Sequence, residues 1–385
     1  MGETAAEPQG LSLEQARSLP KVLLHDHLDG GLRTDTILEL AEATSHRLPS
    51  NNPDELVAYF RRGADAGDIL AYLETFDHTV PLLQSPQALH RVASEAAADL
   101  AADGVVYAEV RFAPELHGGS GANGGSLDDA IEAVTAGFAD ADAVKDGSLV
   151  VNTIVCAMRT EQRSVDVAKA CVRWIGRTGS QGVVGFDLAG AETGFPPGDH
   201  AGALRIARNG LARITIHASE PPGLELIAQA LDQGAERIGH GVRLIEDCQL
   251  SEEGIALGPL AASVLDRQIP LELCPSCNVQ IGAVPTLADH PIGPFLWTGF
   301  NVSINTDNRL MSGVSVSSEV VAVANAFDLS IAEIGQLQMN AASASFAPHL
   351  VKMALLNSLA GFYSQGYRGA EVDRGAEVDK RSRGD

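Results

Sequence analysis

The chain predicts a single (β/α)8 TIM barrel with a helical lid inserted after its first strand, and three observations carry that prediction. Short runs rich in Val and Ile recur along the sequence without clean polar alternation, as parallel strands buried on both faces do. Helical patterns such as 86–102 and 224–233 separate them, which makes strand–helix–strand units. Several of the runs end on a His or an Asp: His25 and His27, then His217, His240 and Asp307. A polar residue at the carboxyl end of each of several strands is how such a barrel builds its mouth.

In chain order, the strands are expected at 21–27, 105–112, 149–157, 183–188, 213–218, 237–240, 269–274 and 301–307. The first ends in His25-Asp26-His27. Residues two apart on a strand share a side, so the two imidazoles stand next to each other. The long segment 38–85 that follows reads as helices, and an insert there roofs the mouth as a lid. Residues 118–125 are Gly-rich without a nucleotide-binding fingerprint and read as a flexible loop. Glycines flank His240, which lets backbone and ligand approach it closely. The organisation is an extension over 1–18, the barrel over 19–350 with its insert, and a helix end and disordered tail over 351–385. Arg-Gly-Ala-Glu-Val-Asp occurs twice in that tail, at 368–373 and 374–379, and its charge suits a disordered segment.

With 385 residues, 45% of them hydrophobic, the chain can bury a large core as one domain. Its 50 acidic against 27 basic residues give a net charge of -23, which argues against a nucleic-acid partner. No apolar run reaches membrane-span length, so no membrane partner is expected. The N-terminal residues lack the apolar core of a secretory signal. Five scattered cysteines fit reduced thiols, and a cytoplasmic location is the expectation. Oligomeric state is not readable.

His25, His27, His217 and Asp307 make a plausible Zn²⁺ set with room for a water. Mn²⁺, Co²⁺ and Fe²⁺ also accept such ligands. Glu220, three residues beyond His217, reads either as a helix-start carboxylate or as a protonated acid beside the metal. Cys274-Pro-Ser-Cys277 has no second C-x-x-C and no thioredoxin-like context, so it reads as the end of strand seven rather than as a functional pair. Nucleic-acid and cytidine deaminases use H-x-E followed by P-C-x-x-C; this chain has no H-x-E, and Leu273 precedes Cys274.

A series of segments in order resembles the adenosine deaminases of the amidohydrolase superfamily, in their bacterial form. It runs from Pro20-Lys-Val-Leu-Leu-His-Asp-His-Leu-Asp-Gly30 through Ala71-Tyr-Leu-Glu-Thr-Phe-Asp77 and Asp103-Gly-Val-Val-Tyr-Ala-Glu-Val-Arg-Phe-Ala-Pro114. It continues with Gly185-Phe-Asp-Leu-Ala-Gly190, His217-Ala-Ser-Glu220, Arg237-Ile-Gly-His-Gly241 and Asn305-Thr-Asp-Asn308, and covers about residues 19–350. The resemblance implies one zinc per chain on His25, His27, His217 and Asp307, and a purine nucleoside as small-molecule partner. Asp29, near His27, would meet the ribose hydroxyl end, Gly190 would present its backbone to the purine, and Asn308 would face N7. Leu73 and Phe76 would cover the base. Glu220 would protonate N1, His240 would orient and deprotonate the metal-bound water, and Asp307 would help hold it against C6.

Two positions depart from that pattern. Ser219 stands where most members have Gly; if the position needs a positive φ, Ser is strained there and could displace Glu220. Asn308 stands where many carry Asp, and an amide can donate to N7 without being protonated. Two other readings stay open. One keeps the chemistry on another 6-aminopurine compound (adenine, aminodeoxyfutalosine or a 5′-modified adenosine). The other is a degenerate relative that binds without catalysis.

Overall fold

Each run expected as a strand forms one. They are Lys21–His27 (β1), Val105–Phe112 (β2), Val150–Met158 (β3), Val183–Ala189 (β4), Arg213–Ala218 (β5), Arg237–His240 (β6), Leu271–Leu273 (β7) and Val302–Ile304 (β8). All pair in parallel and in chain order. The computed structural model describes residues 10–117, 126–177, 182–251 and 254–364. The Gly-rich stretch 118–125 and the tandem repeat at 368–379 lie outside them.

The barrel closes between β8 and β1. His27 N donates to Asp307 O at 2.8 Å and Asp307 N to His25 O at 3.0 Å. Lower on the seam, Asn305 Oδ1 accepts from Leu24 N at 2.9 Å and His25 N at 3.1 Å. A side-chain amide thus replaces ladder partners, and β8 ends early at Ile304. The last two strands are shorter than expected because the residues after them leave the ladder. Pro275, lacking an N–H, opens the helix Pro275–Gln280 instead, and Asn305-Thr-Asp307 turns into the mouth.

The insert is built of helices joined by short loops: Thr34–Thr44, Pro53–Ala64 and Ile69–Glu74, then the tight turns Thr75–His78 and Val80–Leu82. Asn52 caps the second helix by accepting from Asp54 N and Glu55 N, with Pro53 at its first position. Its Leu56, Phe60 and Ala64, spaced four apart, are buried on one face. Asp68 caps the third helix in the same way.

A final helix over residues 349–364 packs on the barrel through Leu355, Leu359 and Tyr363. The Tyr363 hydroxyl donates to Pro20 O at 2.9 Å, at the foot of β1. An antiparallel hairpin, Cys248–Ser251 with Gly254–Leu257, follows β6 and is not apparent in the sequence pattern. Among the described residues, no helix is long and apolar enough to cross a membrane.

Candidate active site

β1, β5 and the turn after β8 bring His25, His27, His217 and Asp307 together, with one ligand atom of each within 4.8 Å of the others. His27 Nε2 lies 3.2 Å from His217 Nε2. Asp307 Oδ1 lies 3.3 Å from His25 Nε2 and 3.4 Å from His27 Nε2. The far nitrogens are fixed from behind. His25 Nδ1 meets Glu272 Oε2 at 2.9 Å, and His217 Nδ1 meets Asp187 Oδ1 at 3.2 Å. Imidazoles held by a carboxylate on one nitrogen present the other as a metal ligand.

This quartet fits a cation. Burial, then the Arg111 charge, holds His25 well below the ordinary imidazole range. Burial and His217 bring His27 down to about 3. The neutral rings of His25 and His27 therefore point nitrogens at the Asp307 carboxylate, and His25 Nε2 is buried without a hydrogen-bond partner. Three imidazole nitrogens and one carboxylate oxygen are a donor set that zinc accepts.

Behind the quartet lies a buried charge network inside the barrel. Arg111 on β2 donates to Asp187 Oδ2 at 2.8 Å, Glu272 Oε2 at 2.7 Å and Leu24 O at 2.8 Å. Arg237 on β6 donates to Glu272 Oε1 at 2.6 Å and sits 2.7 Å from Glu109 Oε2. Burial alone would raise the Glu272 carboxyl, but Arg111 and Arg237 bring it down to about 2. It therefore stays ionised behind His25.

Three non-glycine residues at the mouth have left-handed backbones: Ser219 (φ 75°), His240 (φ 59°) and Asp307 (φ 58°). Such residues cost about 1–3 kcal/mol each and cluster where side chains must be aimed. The positive φ that would strain Ser219 is present. The Glu192 carboxylate accepts from Ser219 N at 2.9 Å and Glu220 N at 3.2 Å, and Ser219 Oγ accepts from Arg243 N at 3.4 Å. Held this way, Glu220 aims Oε1 at His240 Nε2, 3.5 Å away. Burial raises the Glu220 carboxyl well above its usual range, and the Glu192 and Asp307 charges raise it further.

The mouth opens into a cavity of about 260 Å³. Leu73 and Phe76 of the insert line it, with Asp29, Gly190, Glu220 and Asn308. Asp29 Oδ2 meets His117 Nε2 at 3.1 Å, and its Oδ1 is buried without a partner, as is Asn308 Oδ1. Gly190 has φ 91°, and a Cβ there would come within 2.9 Å of Met158 Cε. The bare backbone is therefore what this wall offers. Among the described residues, neither Lys nor Arg lines the cavity.

The sequence profile of the adenosine deaminase family matches residues 20–361. An adenosine deaminase from Mycobacterium sp. (strain KMS) is 47% identical over 357 residues, which is 91% of this chain and 96% of that relative. The chain belongs to the adenosine deaminase family. Solved deaminase-type barrels resemble it in shape. The adenine deaminase from Arthrobacter aurescens superposes with a TM-score of 0.76 at 26% identity, covering 90% of this chain and 99% of that one. An amidohydrolase from Burkholderia ambifaria, solved with bound Zn, gives 0.77 at 26% identity, covering 94% and 96%. This family member thus shares its fold with a zinc-containing relative.

All the residues picked out from the sequence converge on one mouth. Those missed are its supports: Asp187, Glu272, Arg111, His117, Glu192 and Asn278. Charged residues inside apolar strands were the available signal for Arg111, Asp187 and Glu272, since a buried charge needs a partner. Cys277 lies in the helix Pro275–Gln280 and not at the end of strand seven, and its thiol donates to Asp307 Oδ2 at 2.8 Å. Among the described residues, no disulfide joins it to Cys274.

Proposed function

We propose that this chain hydrolyses the 6-amino group of adenosine and 2′-deoxyadenosine, leaving inosine or 2′-deoxyinosine and ammonia, with one zinc ion per chain. The observation that carries this is Glu220, a buried acid whose carboxyl is raised well above its usual range, facing His240 beside the quartet in a mostly apolar, purine-sized cavity. Zinc on His25, His27, His217 and Asp307 would lower the pKa of the attacking water. Glu220 gives its proton to N1, which localises the ring's double bond and opens C6 to attack. A step of this kind contributes typically about 10²–10⁴-fold. His240 orients the water at one face of C6. Asn308 meets N7, the backbone at Gly190 meets the purine, and Leu73 and Phe76 close over the base and exclude water.

Asp29 favours a nucleoside over free adenine, because a ribose hydroxyl can donate to its unpartnered Oδ1. Adenine would leave that buried oxygen unpaired. Among the described residues, a 5′-phosphate finds no Lys or Arg on the cavity wall, while the Asp29 carboxylate repels it. A degenerate binder has no use for an acid raised well above its usual range beside a complete ligand set.

The test is the fall in absorbance as adenosine becomes inosine, run on zinc-loaded protein, a chelated sample and Glu220→Gln. Turnover is expected with adenosine and 2′-deoxyadenosine, at least 100-fold above adenine and adenosine 5′-phosphate, and lost by about 10³-fold in Glu220→Gln. An active Glu220→Gln enzyme would remove the proposed acid. Preference for adenine or the phosphate would overturn the substrate.

A further inference from the structure

Behind His240 runs a chain of hydrogen bonds whose direction is fixed by backbone amides. Ile292 N donates to His290 Nδ1 at 3.2 Å, so that nitrogen is bare. Burial brings His290 down to about 3, leaving the ring neutral with its hydrogen on Nε2. That Nε2–H lies 3.2 Å from Asn278 Oδ1 and donates to it. Cys274 N donates to the same oxygen at 3.3 Å. Two donors therefore settle which end of the Asn278 amide is oxygen. Its Nδ2 faces His240 Nδ1 at 3.1 Å and can only donate.

His240 Nδ1 is thus an acceptor, and a neutral ring must carry its hydrogen on Nε2. Nε2 is buried without a hydrogen-bond partner, and His240 lines the cavity. We propose that His240 meets the attacking water as a hydrogen-bond donor through Nε2–H rather than as its base, and that Asn278 and His290 are positioning residues that hold this tautomer. The opposite tautomer would press an Nδ1–H against the Asn278 amide hydrogens, two donors facing each other where both residues are fully buried.

This deepens the deaminase reading and rests on it for the substrate. A fixed donor at the attacking oxygen stabilises the negative charge that builds there. Proton traffic then runs through Glu220, whose Oε1 is 3.5 Å from His240 Nε2. Glu220 gives its proton to N1 and takes one back from the water as the C6–O bond forms. The proton left on that oxygen goes to the departing amine as C6=O forms and the C6–N bond breaks.

The test is long-range proton–nitrogen NMR of zinc-loaded protein labelled with ¹⁵N-histidine, with the His240 signals identified by their loss in His240→Gln. The wild type should show a protonated Nε2 and a bare Nδ1. In Asn278→Asp the carboxylate accepts from Nδ1, so the tautomer should swap and kcat should fall by about 100-fold with KM little changed. A wild-type spectrum with a bare Nε2 overturns the proposal, and that spectrum suffices if Asn278→Asp does not fold. So does a swapped tautomer with undiminished kcat. Absence of adenosine turnover by the wild type would instead overturn the substrate reading and leave the tautomer result standing.

Discussion

Ser219 holds a backbone conformation that a side chain disfavours by roughly 1–2 kcal/mol, immediately before the residue that must be aimed. Glu192 compensates by binding the two amides at 219 and 220, and its charge also lifts the Glu220 carboxyl. Both effects should be lost together in Glu192→Gln. Its amide group can accept from only one of the two N–H donors and carries no charge. We expect kcat to fall about tenfold or more, with partial recovery when Ser219→Gly is added, because glycine needs no help at φ 75°. The sign of the pH effect follows from the raised carboxyl. A protonated acid is lost as pH rises through its pKa, so the alkaline limb of kcat should move to lower pH in Glu192→Gln. An unmoved limb would mean that the Glu192 charge does not act on Glu220.

Glu319 shows the same physics one element away. It lies on the helix Val316–Phe327 and accepts from Ser276 N at 3.1 Å, in the first turn of Pro275–Gln280. It is 1% exposed, and burial raises its carboxyl to about 7. The folded state therefore keeps a proton that the unfolded chain gives up from about pH 4.5, so stability falls between pH 4.5 and 7 and levels off above. Glu319→Gln removes this dependence. Its gain over the wild type should grow across that window, by up to about 3 kcal/mol at pH 8. Urea unfolding at pH 5 and pH 8 measures it, and an equal difference at both would contradict the shift. These two residues mark the limit of what the sequence discloses. Strand positions, the helical insert and His25, His27, His217 and Asp307 were legible because each follows from local periodicity and from residues at strand ends. The pairing of Arg111 with Glu272 spans 161 positions, and Glu192 and Asn278 act from a loop and a short helix that no period marks. Their roles depend on which strand lies beside which, and that emerges only on closure.

Closure of the whole barrel depends on a segment far from the mouth in sequence. β1 carries two of the four proposed zinc ligands, and its foot is tied down by Tyr363 through Pro20 O. Gly335 makes room for that ring; a Cβ there would come within 2.7 Å of it. Leu355 and Leu359 bury the rest of the helix face. A chain ending at residue 348 loses all three side chains, a loss of roughly 5 kcal/mol at about 1.5–3 kcal/mol per buried side chain, discounted for partial burial in the unfolded state. It also leaves an apolar face on the barrel open to water. A chain ending at 364 loses only the charged tail with its tandem repeat. Thermal unfolding of the two truncations beside the full chain should therefore give one large fall and one unchanged midpoint. If the metal site depends on a secured β1, the shorter protein should also bind zinc more weakly in a competition titration. Equal midpoints for all three chains would show that β1 is held by its neighbouring strands alone.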